Sequence, residues 1–338
     1  MSMQRLTGRA CQLTVIVPAT SVATLEETLV SVLEHKPDGC EVVVALGESY
    51  DDPWNIREEV TFVDVQKGSS LVDCITAGVA AATGDVIHVL AAGWKAIDGW
   101  TAPAMRHFAN GRVAAVVPLA VSEADKTQPV SAGIRRTAGG RSVTVVPSRK
   151  SGGIVTGPLP TAPMIEAGFW RADVLRDIGL SKACGDSLAA ADMAAALSAA
   201  RAEVVLEPES RVVSGPTPRS RSSFMAGMQA ERLFWRSLPC DRTGPALLAH
   251  VGEVMRHAAV TAPLGTIGML AGRLAALVQF GSCLSRTRQL NDLMRRATDG
   301  ESDAGTDMTA HTYRIDAPHE AVGRPHIASP SPALKRSA

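Results

Sequence analysis

The sequence predicts an α/β protein with a mostly parallel sheet, helices on both of its faces and a helical C-terminal extension. Short β-rich runs alternate with helical patterns between residues 13 and 118. The clearest run is Val86–Leu90, which follows Gly84 and stops at Ala91-Ala92-Gly93. An apolar run bounded by glycine is typical of a buried strand, and open α/β sheets bind ligands beyond the carboxyl ends of their strands. We therefore expect the functional site around residues 91–93.

Composition limits the class of protein. Of the 338 residues, 46% are hydrophobic and 20% are charged, as in globular proteins. Lys+Arg and Asp+Glu both number 34, so no net field recruits nucleic acid. The six cysteines form no Cys-x-x-Cys pair, which argues against structural zinc and favours reduced thiols. The polar N-terminus has no apolar signal segment, so we expect a cytoplasmic protein.

The elements before Val86 follow the order that a parallel sheet requires. Leu13–Val17 is apolar and ends at a proline, which predicts a first strand. Thr24 with Glu27 three residues later fits a capping box, so a helix is expected to start there. Two more strands and a second helix are predicted at Glu41–Leu46, Val60–Val65 and Gly68–Ala82.

The alternation continues after Leu90, with one long interruption. Residues 121–163 are rich in Gly, Pro, Ser and Arg and have little periodicity. A connection of this length is uncommon, so it is either a simple insertion or a lid whose Gly139-Gly140 and Gly152-Gly153 pairs act as turns or hinges. The remaining predicted elements are the strands Val113–Pro118 and Val204–Pro208 and the helices Ala172–Ile178 and Asp192–Leu197.

The C-terminal part is predicted to be helical. Phe224–Leu238 is amphipathic, and residues 245–293 also read as mostly helical. A spanning helix needs about 20 predominantly apolar residues, and Arg273 interrupts the apolar stretch, so we expect no span. Residues 258–284 either contact a membrane peripherally, at its inner face, or pack against the preceding domain.

These observations divide the chain into four regions. From residue 298 onward the sequence is polar, which is typical of disorder. The expected regions are an N-terminal tail (1–10), an α/β domain (11–223), a helical extension (224–297) and a disordered tail (298–338).

Several short segments of the sequence follow one another in a characteristic order. They are the strand ending in Pro18, the 68–82 helix followed by Thr83-Gly84-Asp85, Asp98-Gly99-Trp100, Gly168-Phe169-Trp170-Arg171 and the helix from Asp192. In this order, from Leu13 to Val213, the chain resembles the family 2 glycosyltransferases of the GT-A fold. The resemblance implies an inverting hexosyltransferase that moves a sugar from a nucleotide-diphosphate sugar to a glycan or lipid-linked acceptor.

The resemblance also implies a divalent metal, but its ligands are missing. The family holds the metal with an Asp-x-Asp motif, whose acidic positions align with Ala91 and Gly93. A later family histidine aligns with Ser214. Since two separate elements lack ligands together, we expect no metal and no other cofactor.

The nucleoside pocket of the family corresponds to two strand-end loops. One contains Pro18 and Thr20, and the other contains Glu48, Ser49 and Asp51. We expect these residues to contact the nucleotide. The alternative for the second loop is an ordinary solvated turn.

Without a metal, the diphosphate charge needs another partner. Arg219 and Arg221 follow Ser214, and Arg171 is a third candidate. A guanidinium matches phosphate oxygens bidentately, so we expect these arginines to bind the diphosphate. The alternative is a basic surface loop.

The family's catalytic Glu-Asp pair aligns with Ala189 and Ala190, so the base must lie elsewhere. Asp186 and Asp192 are the nearby carboxylates and are our catalytic candidates, although Asp192 also suits a helix N-terminus.

Two tryptophans, Trp94 and Trp100, flank the altered metal motif. They either stack on a sugar or pack in the core. The missing acidic residues keep a second function open, namely an inactive homologue that binds a nucleotide, a glycan or a partner protein.

Overall fold

The structure is a computed structural model that describes residues 12–53, 55–149, 155–216, 222–238, 243–279, 281–301 and 313–315. Its strands are β1 (Leu13–Ala19), β2 (Glu41–Leu46), β3 (Thr61–Asp64), β4 (Val86–Leu90), β5 (Lys95–Ala96), β6 (Val113–Val121), β7 (Pro129–Ser131), β8 (Ile134–Arg136), β9 (Ser142–Thr144), β10 (Ser148–Arg149), β11 (Val155–Gly157), β12 (Ala167–Arg171), β13 (Glu203–Val213) and β14 (Tyr313–Ile315). Its helices are α1 (Leu25–His35), α2 (Leu71–Ala81), α3 (Thr101–His107), α4 (Ala172–Ile178), α5 (Asp186–Ala199), α6 (Ser223–Arg236), α7 (Thr243–Thr261), α8 (Thr266–Val278) and α9 (Gly281–Glu301).

One large sheet organises the α/β domain. Its order is β3-β2-β1-β4-β12-β6-β13-β5, with β7 beside β6. The strands β1 to β4 run parallel to one another, and β6 runs parallel to β13. Inside the sheet β12 is reversed and is antiparallel to both β4 and β6. The short strands β5 and β7 are also antiparallel to their partners, β13 and β6. The carboxyl ends of β1, β2, β3, β4, β6 and β13 therefore lie at one edge of the sheet, which we call the carboxyl edge.

Both faces of this sheet are covered, because every residue of the central strands β1, β4, β6 and β12 is buried. Along β1, Val15 and Val17 face a cluster that contains Leu29 of α1. Ile16 faces the opposite cluster, with Ile75 of α2. The mostly parallel sheet with helices on both faces is thus confirmed.

The capping box predicted at the start of α1 is absent there, and a capping box lies at the start of α2 instead. α1 starts after Thr24 as expected, but the Thr24 side chain makes no capping hydrogen bond. The capping box lies on α2, where Ser70 Oγ accepts from Asp73 N at 3.2 Å and Asp73 Oδ2 accepts from Ser70 N at 3.2 Å. The spacing rule therefore located the start of α1 but not its capping contact.

The insertion at residues 121–163 is packed where it is described. Ala132, Ile134 and Val145 are buried. The pair Gly139-Gly140 turns the β8–β9 hairpin and lies against α6 and α7. Residues 150–154, including Gly152-Gly153, lie outside the described residues.

Buried ion pairs attach the helical extension to the α/β domain. Asp192 of α5 pairs with Arg236 of α6 at 3.2 Å and with Arg286 of α9 at 2.9 Å. Inside the extension, Glu231 of α6 pairs with Arg273 of α8 at 2.5 Å. The described part of the extension is thus helical and packs on the domain before it.

The crossing of α6 and α8 explains one glycine in each helix, Gly227 and Gly272. A Cβ on Gly227 would overlap the carbonyl oxygen of Met269, and one on Gly272 would overlap that of Phe224. In the described part of the chain, no helix is long and apolar enough to cross a membrane.

The two predicted tails are mostly undescribed. Residues 1–10 lie outside the described residues, as do 302–312 and 316–338. Within the predicted disordered tail, α9 continues to Glu301 and β14 pairs with β11.

Candidate functional site

The loops that follow four parallel strands meet at the carboxyl edge. Ala92 N, after β4, donates to Pro18 O of β1 at 3.1 Å. Gly47 N, after β2, donates to Ala19 O at 2.9 Å. Ser214 N, after β13, donates to Val121 O at 2.9 Å. The structure therefore brings the predicted nucleoside loops and the turn at Ala91 and Gly93 together.

The residues predicted to contact the nucleoside differ in exposure and in their existing contacts. Glu48 Oε2 accepts from Val22 N at 3.1 Å, so this carboxylate ties the loop after β2 to the loop after β1. Thr20, Ser49 and Asp51 are exposed beside it, and Pro18 is buried at the end of β1. Thr20, Ser49 and Asp51 are open to a ligand, whereas Glu48 already has a structural partner.

The metal-motif positions form a closed turn. Ala91 is 5% exposed, and Gly93 has a left-handed backbone with φ of +94°. A Cβ on Gly93 would lie 2.7 Å from Pro216 Cδ. A side chain at this position therefore requires Pro216 to move.

The same turn does not fit a divalent cation. Neither Ala91 nor Gly93 carries a ligand group, and Ser214 Oγ donates to Gly215 O at 3.3 Å. Among the described residues, no group of three His, Cys, Asp or Glu side chains is arranged to hold a metal ion. Carboxylate oxygens are the groups that hard divalent cations prefer, and this turn supplies none.

The two tryptophans belong to the core. Trp94 is 5% exposed and Trp100 is 1% exposed. Trp94 packs against Gly215, and Trp100 lies in the cluster with Leu29 and Ala104. In this arrangement their indole faces are covered, so the packing alternative describes them and the sugar-stacking alternative does not.

Arg171 lies at the other end of the sheet from the predicted diphosphate site. Because β12 is antiparallel, its first residue Ala167 pairs with Leu90 and its last, Arg171, pairs with Val86. The buried guanidinium donates to the carbonyl oxygens of Val113, Phe108 and Asn110. Arg171 also lines a cavity of about 650 Å³ at that opposite edge. The reversed strand direction thus corrects its assignment as a diphosphate ligand.

Asp186 lies at the carboxyl edge with both oxygens engaged. Its Oδ2 accepts from Leu71 N at 3.0 Å and its Oδ1 from Val72 N at 3.2 Å. These are free N–H groups at the start of α2, where a negative charge is stabilised by the helix dipole. Asp186 therefore fixes α2 and α5 to each other beside the site.

Asp192 is fully occupied by arginines. It is 1% exposed, and its two oxygens contact Arg236 and Arg286. A carboxylate held between two buried guanidinium groups has no free face for an acceptor hydroxyl in this conformation.

Arg219 and Arg221 lie outside the described residues. The segment leading to them, Ser214 to Pro216, ends against Gly93 at the carboxyl edge. The described segment that leads towards both arginines therefore ends against the turn at Gly93.

Sequence reasoning missed Glu166. Its carbonyl oxygen accepts from Ala91 N at 2.8 Å, which places this residue at the carboxyl edge beside the metal-motif turn. Burial, with a smaller contribution from the charge of Asp186, raises the pKa of its carboxyl group. One signal was present in the sequence, because Glu166 is the only charged residue between 151 and 170.

Comparisons with known proteins identify the fold. No family model and no curated protein matches the sequence. A structure of GalNAc-T7 with UDP, GalNAc and Mn²⁺ matches 88% of this chain and 58% of that chain, with a TM-score of 0.53 and 14% identity. The chain is GT-A-like in fold.

A second solved structure is similar over most of its length. The mannosyltransferase PcManGT from Pyrobaculum calidifontis, in complex with GDP-Man and Mn²⁺, matches 88% of this chain and 89% of that chain, with a TM-score of 0.45 and 17% identity. The chain described here spans only 58% of the length of the GalNAc-T7 chain. The GalNAc-T7 structure contains Mn²⁺, whereas Ala91 and Gly93 of this chain offer a cation no ligand.

Proposed function

We propose that this chain is a family 2-like glycosyltransferase that moves a sugar from a nucleotide-diphosphate sugar to a glycan or lipid-linked acceptor without a divalent metal. The observation that carries the proposal is the meeting of the loops after β1, β2, β4 and β13 at the carboxyl edge. Ligands of open α/β sheets bind at this edge.

The nucleoside is proposed to bind over the exposed residues Thr20, Ser49 and Asp51. The diphosphate then lies towards the turn at Gly93, where the loop carrying Arg219 and Arg221 begins. Two guanidinium groups would offset the charge of the leaving group in place of a cation.

Glu166 is our proposed base, with Asp186 as the neighbouring carboxylate. A general base operates best when its pKa lies near the working pH, and burial raises the pKa of Glu166. Asp186 is less suited because both its oxygens already accept backbone hydrogen bonds. We assign Asp192 a structural role, since two arginines hold it.

The chemistry is a single displacement. The Glu166 carboxylate takes the proton of the acceptor hydroxyl, and the hydroxyl oxygen bonds to the anomeric carbon. The bond from that carbon to the diphosphate oxygen breaks, and the nucleoside diphosphate leaves on the opposite face. This step inverts the anomeric configuration, as the resemblance implies.

The second candidate is an inactive homologue that binds a nucleotide, a glycan or a partner protein. The closed turn at Gly93 and Pro216 favours it, because this turn occupies the position where the family holds its metal. Such a homologue would bind its ligand without transferring or releasing a sugar.

A donor screen tests the proposal and separates the two candidates. Thermal shifts with a panel of nucleoside diphosphates and their sugars are measured in EDTA and in Mn²⁺, and donors that bind are assayed for sugar release. The proposal expects a shift of equal size in both buffers and slow donor hydrolysis. If no nucleotide shifts the melting temperature in either buffer, the proposed function is wrong; a shift without turnover supports the inactive homologue.

A further inference from the structure

A cavity of about 650 Å³ lies at the edge of the sheet opposite the carboxyl edge. Its walls are α3, α4 and the loop before β4, where Ala172 N donates to Asp85 O at 2.9 Å. We call it the amino-edge cavity. Binding sites for small molecules typically measure about 300–1,000 Å³, so this cavity is large enough for one. None of its lining residues takes part in the proposed transfer reaction.

Arg171 lines the cavity and is buried without a carboxylate partner among the described residues. In the described part of the chain, four arginines are at most 9% exposed. Three of them, Arg236, Arg273 and Arg286, each form an ion pair with a buried carboxylate. The fourth is Arg171. Because a buried charge is costly without a counter-charge, an anion placed next to Arg171 would be stabilised.

The contacts of Arg171 fix its guanidinium group and leave one nitrogen unused. Nε donates to Val113 O at 2.9 Å, and Nη2 donates to Phe108 O at 3.0 Å and to Asn110 O at 2.8 Å. Nη1 has no hydrogen-bond partner among the described residues. The three contacts hold the side chain in place before any ligand binds, which lowers the entropy lost on binding. The Nη1 group can therefore donate both of its hydrogens to a ligand.

Arg176 of α4 adds another guanidinium group to the cavity. Its Nη2 donates to Ala82 O at 2.7 Å, which is again a neutral partner, and no described carboxylate pairs with it. A third arginine of the cavity, Arg106, is different because it pairs with Glu209 at 3.1 Å. Arg171 and Arg176 are thus the two cationic side chains of the cavity that lack a described counter-ion.

Two carboxylates limit how much negative charge the cavity accepts. Asp85 and Asp173 line it, and both are exposed. With two aspartates against the two arginines that lack a counter-ion, the cavity has little net attraction for a second negative charge. Removing a phosphate dianion from water also costs more than removing a carboxylate. The charges therefore favour a carboxylate as the anionic group of a ligand.

The wall formed by α3 is apolar. Ala102, Met105 and Ala109 line the cavity from this helix and the residues after it. Phe108, which is 3% exposed, lies beside the guanidinium, with its ring centre 5.5 Å from Arg171 Cζ. A ligand with an apolar body can bury this body against α3 while its carboxylate meets the arginines.

We propose that the amino-edge cavity binds a small organic carboxylate. The carboxylate accepts from Arg171 Nη1 and from the Arg176 guanidinium, and the apolar body of the ligand packs along α3. The site lies at the opposite edge of the sheet from the proposed nucleotide site, so the inference does not depend on sugar transfer.

Fluorine NMR with the full chain tests the inference. The probe is para-fluorobenzoate, and para-fluorobenzyl alcohol is its neutral match. Wild type should bind the carboxylate about tenfold more tightly than the alcohol, because a hydrogen bond to a charged group contributes roughly 1.5–3 kcal/mol. Arg176→Gln should weaken binding of the carboxylate at least about threefold, since solvent screens part of the attraction at an exposed side chain. Arg176→Glu should weaken it further.

Arg176 is the residue to replace because it is exposed, whereas Arg171 also holds three carbonyl groups of the fold. The control is Arg135→Glu on β8, which is exposed and does not line the cavity, and which should bind the probe like wild type. Circular dichroism should show all variants folded. Equal binding of the two probes by wild type, or unchanged binding of the carboxylate by both Arg176 variants, would overturn the inference. Displacement of the probe by inorganic phosphate would also overturn it, because the cavity would then be a phosphate site.

Discussion

Pro216 lies directly against the backbone of Gly93, so that a Cβ on Gly93 would come within 2.7 Å of the proline Cδ. Two elements that supply metal ligands in the resembling family therefore pack on each other here. The backbone amide of Gly93 is also engaged, because it donates to Thr28 Oγ1 at 2.8 Å. The turn at Gly93 is thus closed by its own packing, so an acidic side chain at this position would require Pro216 to move.

Restoring the acid at this position should destabilise the protein without creating a metal site. Gly93→Asp meets both Pro216 and a φ of +94°. Gly99→Asp is the matched control, because Gly99 has a φ of +71° but no atom near its Cβ position. We expect the control to lose about 1 kcal/mol from backbone strain and Gly93→Asp to lose about 1–3 kcal/mol more from overpacking. Urea unfolding measures both, and a gain in stability on adding Mn²⁺ to Gly93→Asp would contradict the packing argument.

Replacing Asp192 should unfold the contact between the domain and its extension. Asp192→Ala leaves Arg236 and Arg286 buried without a counter-charge, and such a loss costs about 3–5 kcal/mol. The control is Glu209→Ala, which breaks an exposed ion pair with Arg106 and should cost less than about 1 kcal/mol. Chemical denaturation gives both values. A stable Asp192→Ala protein that has lost only sugar transfer would instead make Asp192 catalytic.

Local sequence signals were sufficient for most of the fold. The strand Val86–Leu90 and the helix Ala172–Ile178 have the predicted bounds. Each is an apolar or amphipathic run whose ends coincide with glycine or a change of pattern, so short-range information determines it. The start of α1 was also predicted, although the Thr24 contact was not.

Contacts between distant segments could not be predicted in the same way. The direction of β12 depends on its pairing with β4 and β6, and this direction moves Arg171 to the other edge of the sheet. The partners of Asp192 lie 44 and 94 residues further along the chain. No periodic pattern encodes such pairings. The same limit explains why Glu166, which precedes β12, was missed.

His88 should make stability depend on pH in mildly acidic solution. Burial lowers the pKa of His88 to about 3, and its Nδ1 faces Gly168 O at 3.1 Å. Between about pH 3 and the unfolded value near 6.5, the unfolded state binds the extra proton, so stability falls as pH falls through this window. His88→Asn keeps a donor but cannot titrate. Its plot of unfolding free energy against pH should be shallower than that of wild type by up to about 1.4 kcal/mol per pH unit; parallel plots would show that His88 titrates normally.

Arg219 and Arg221 should determine nucleoside diphosphate affinity. A hydrogen bond to a charged group contributes roughly 1.5–3 kcal/mol, so either alanine variant should bind about tenfold more weakly or worse. A lysine at either position keeps the positive charge but cannot make the bidentate contact of a guanidinium group, so it should recover only part of the nucleoside diphosphate affinity. Arg106→Ala is the control, because Arg106 is exposed and lines the cavity at the opposite edge of the sheet. Affinities are measured by calorimetry for both single variants and the double variant. If all three stay within a factor of two of wild type, these arginines are surface charges that do not bind the diphosphate.

Glu166→Gln should separate catalysis from stability. If Glu166 accepts the acceptor proton, the amide should lower the transfer rate by about 10² to 10⁴-fold while leaving nucleoside diphosphate affinity unchanged. The sign of its pKa shift adds a second expectation. Because burial raises the pKa of this carboxyl group, the folded state loses stability as pH rises above the unfolded value near 4.5. The glutamine variant, which carries no charge, should therefore be as stable as wild type at pH 5 and more stable at pH 8.

A Glu166 without a catalytic role would not combine a lower transfer rate with higher stability at pH 8. Because the gain in stability at pH 8 comes from burial, a Glu166 without a catalytic role would give the same gain, and the transfer rate per folded protein would stay at the wild-type value. Asp186→Asn is the informative comparison, because Asp186 accepts from Leu71 N and Val72 N and its amide variant should lose both stability and activity. The measurements are rate, nucleotide affinity and unfolding free energy at pH 5 and pH 8. If Glu166→Gln lowers the transfer rate and raises the unfolding free energy at pH 8, the buried carboxylate destabilises the fold and is needed for catalysis. If Glu166→Gln keeps the wild-type transfer rate, another carboxylate is the base.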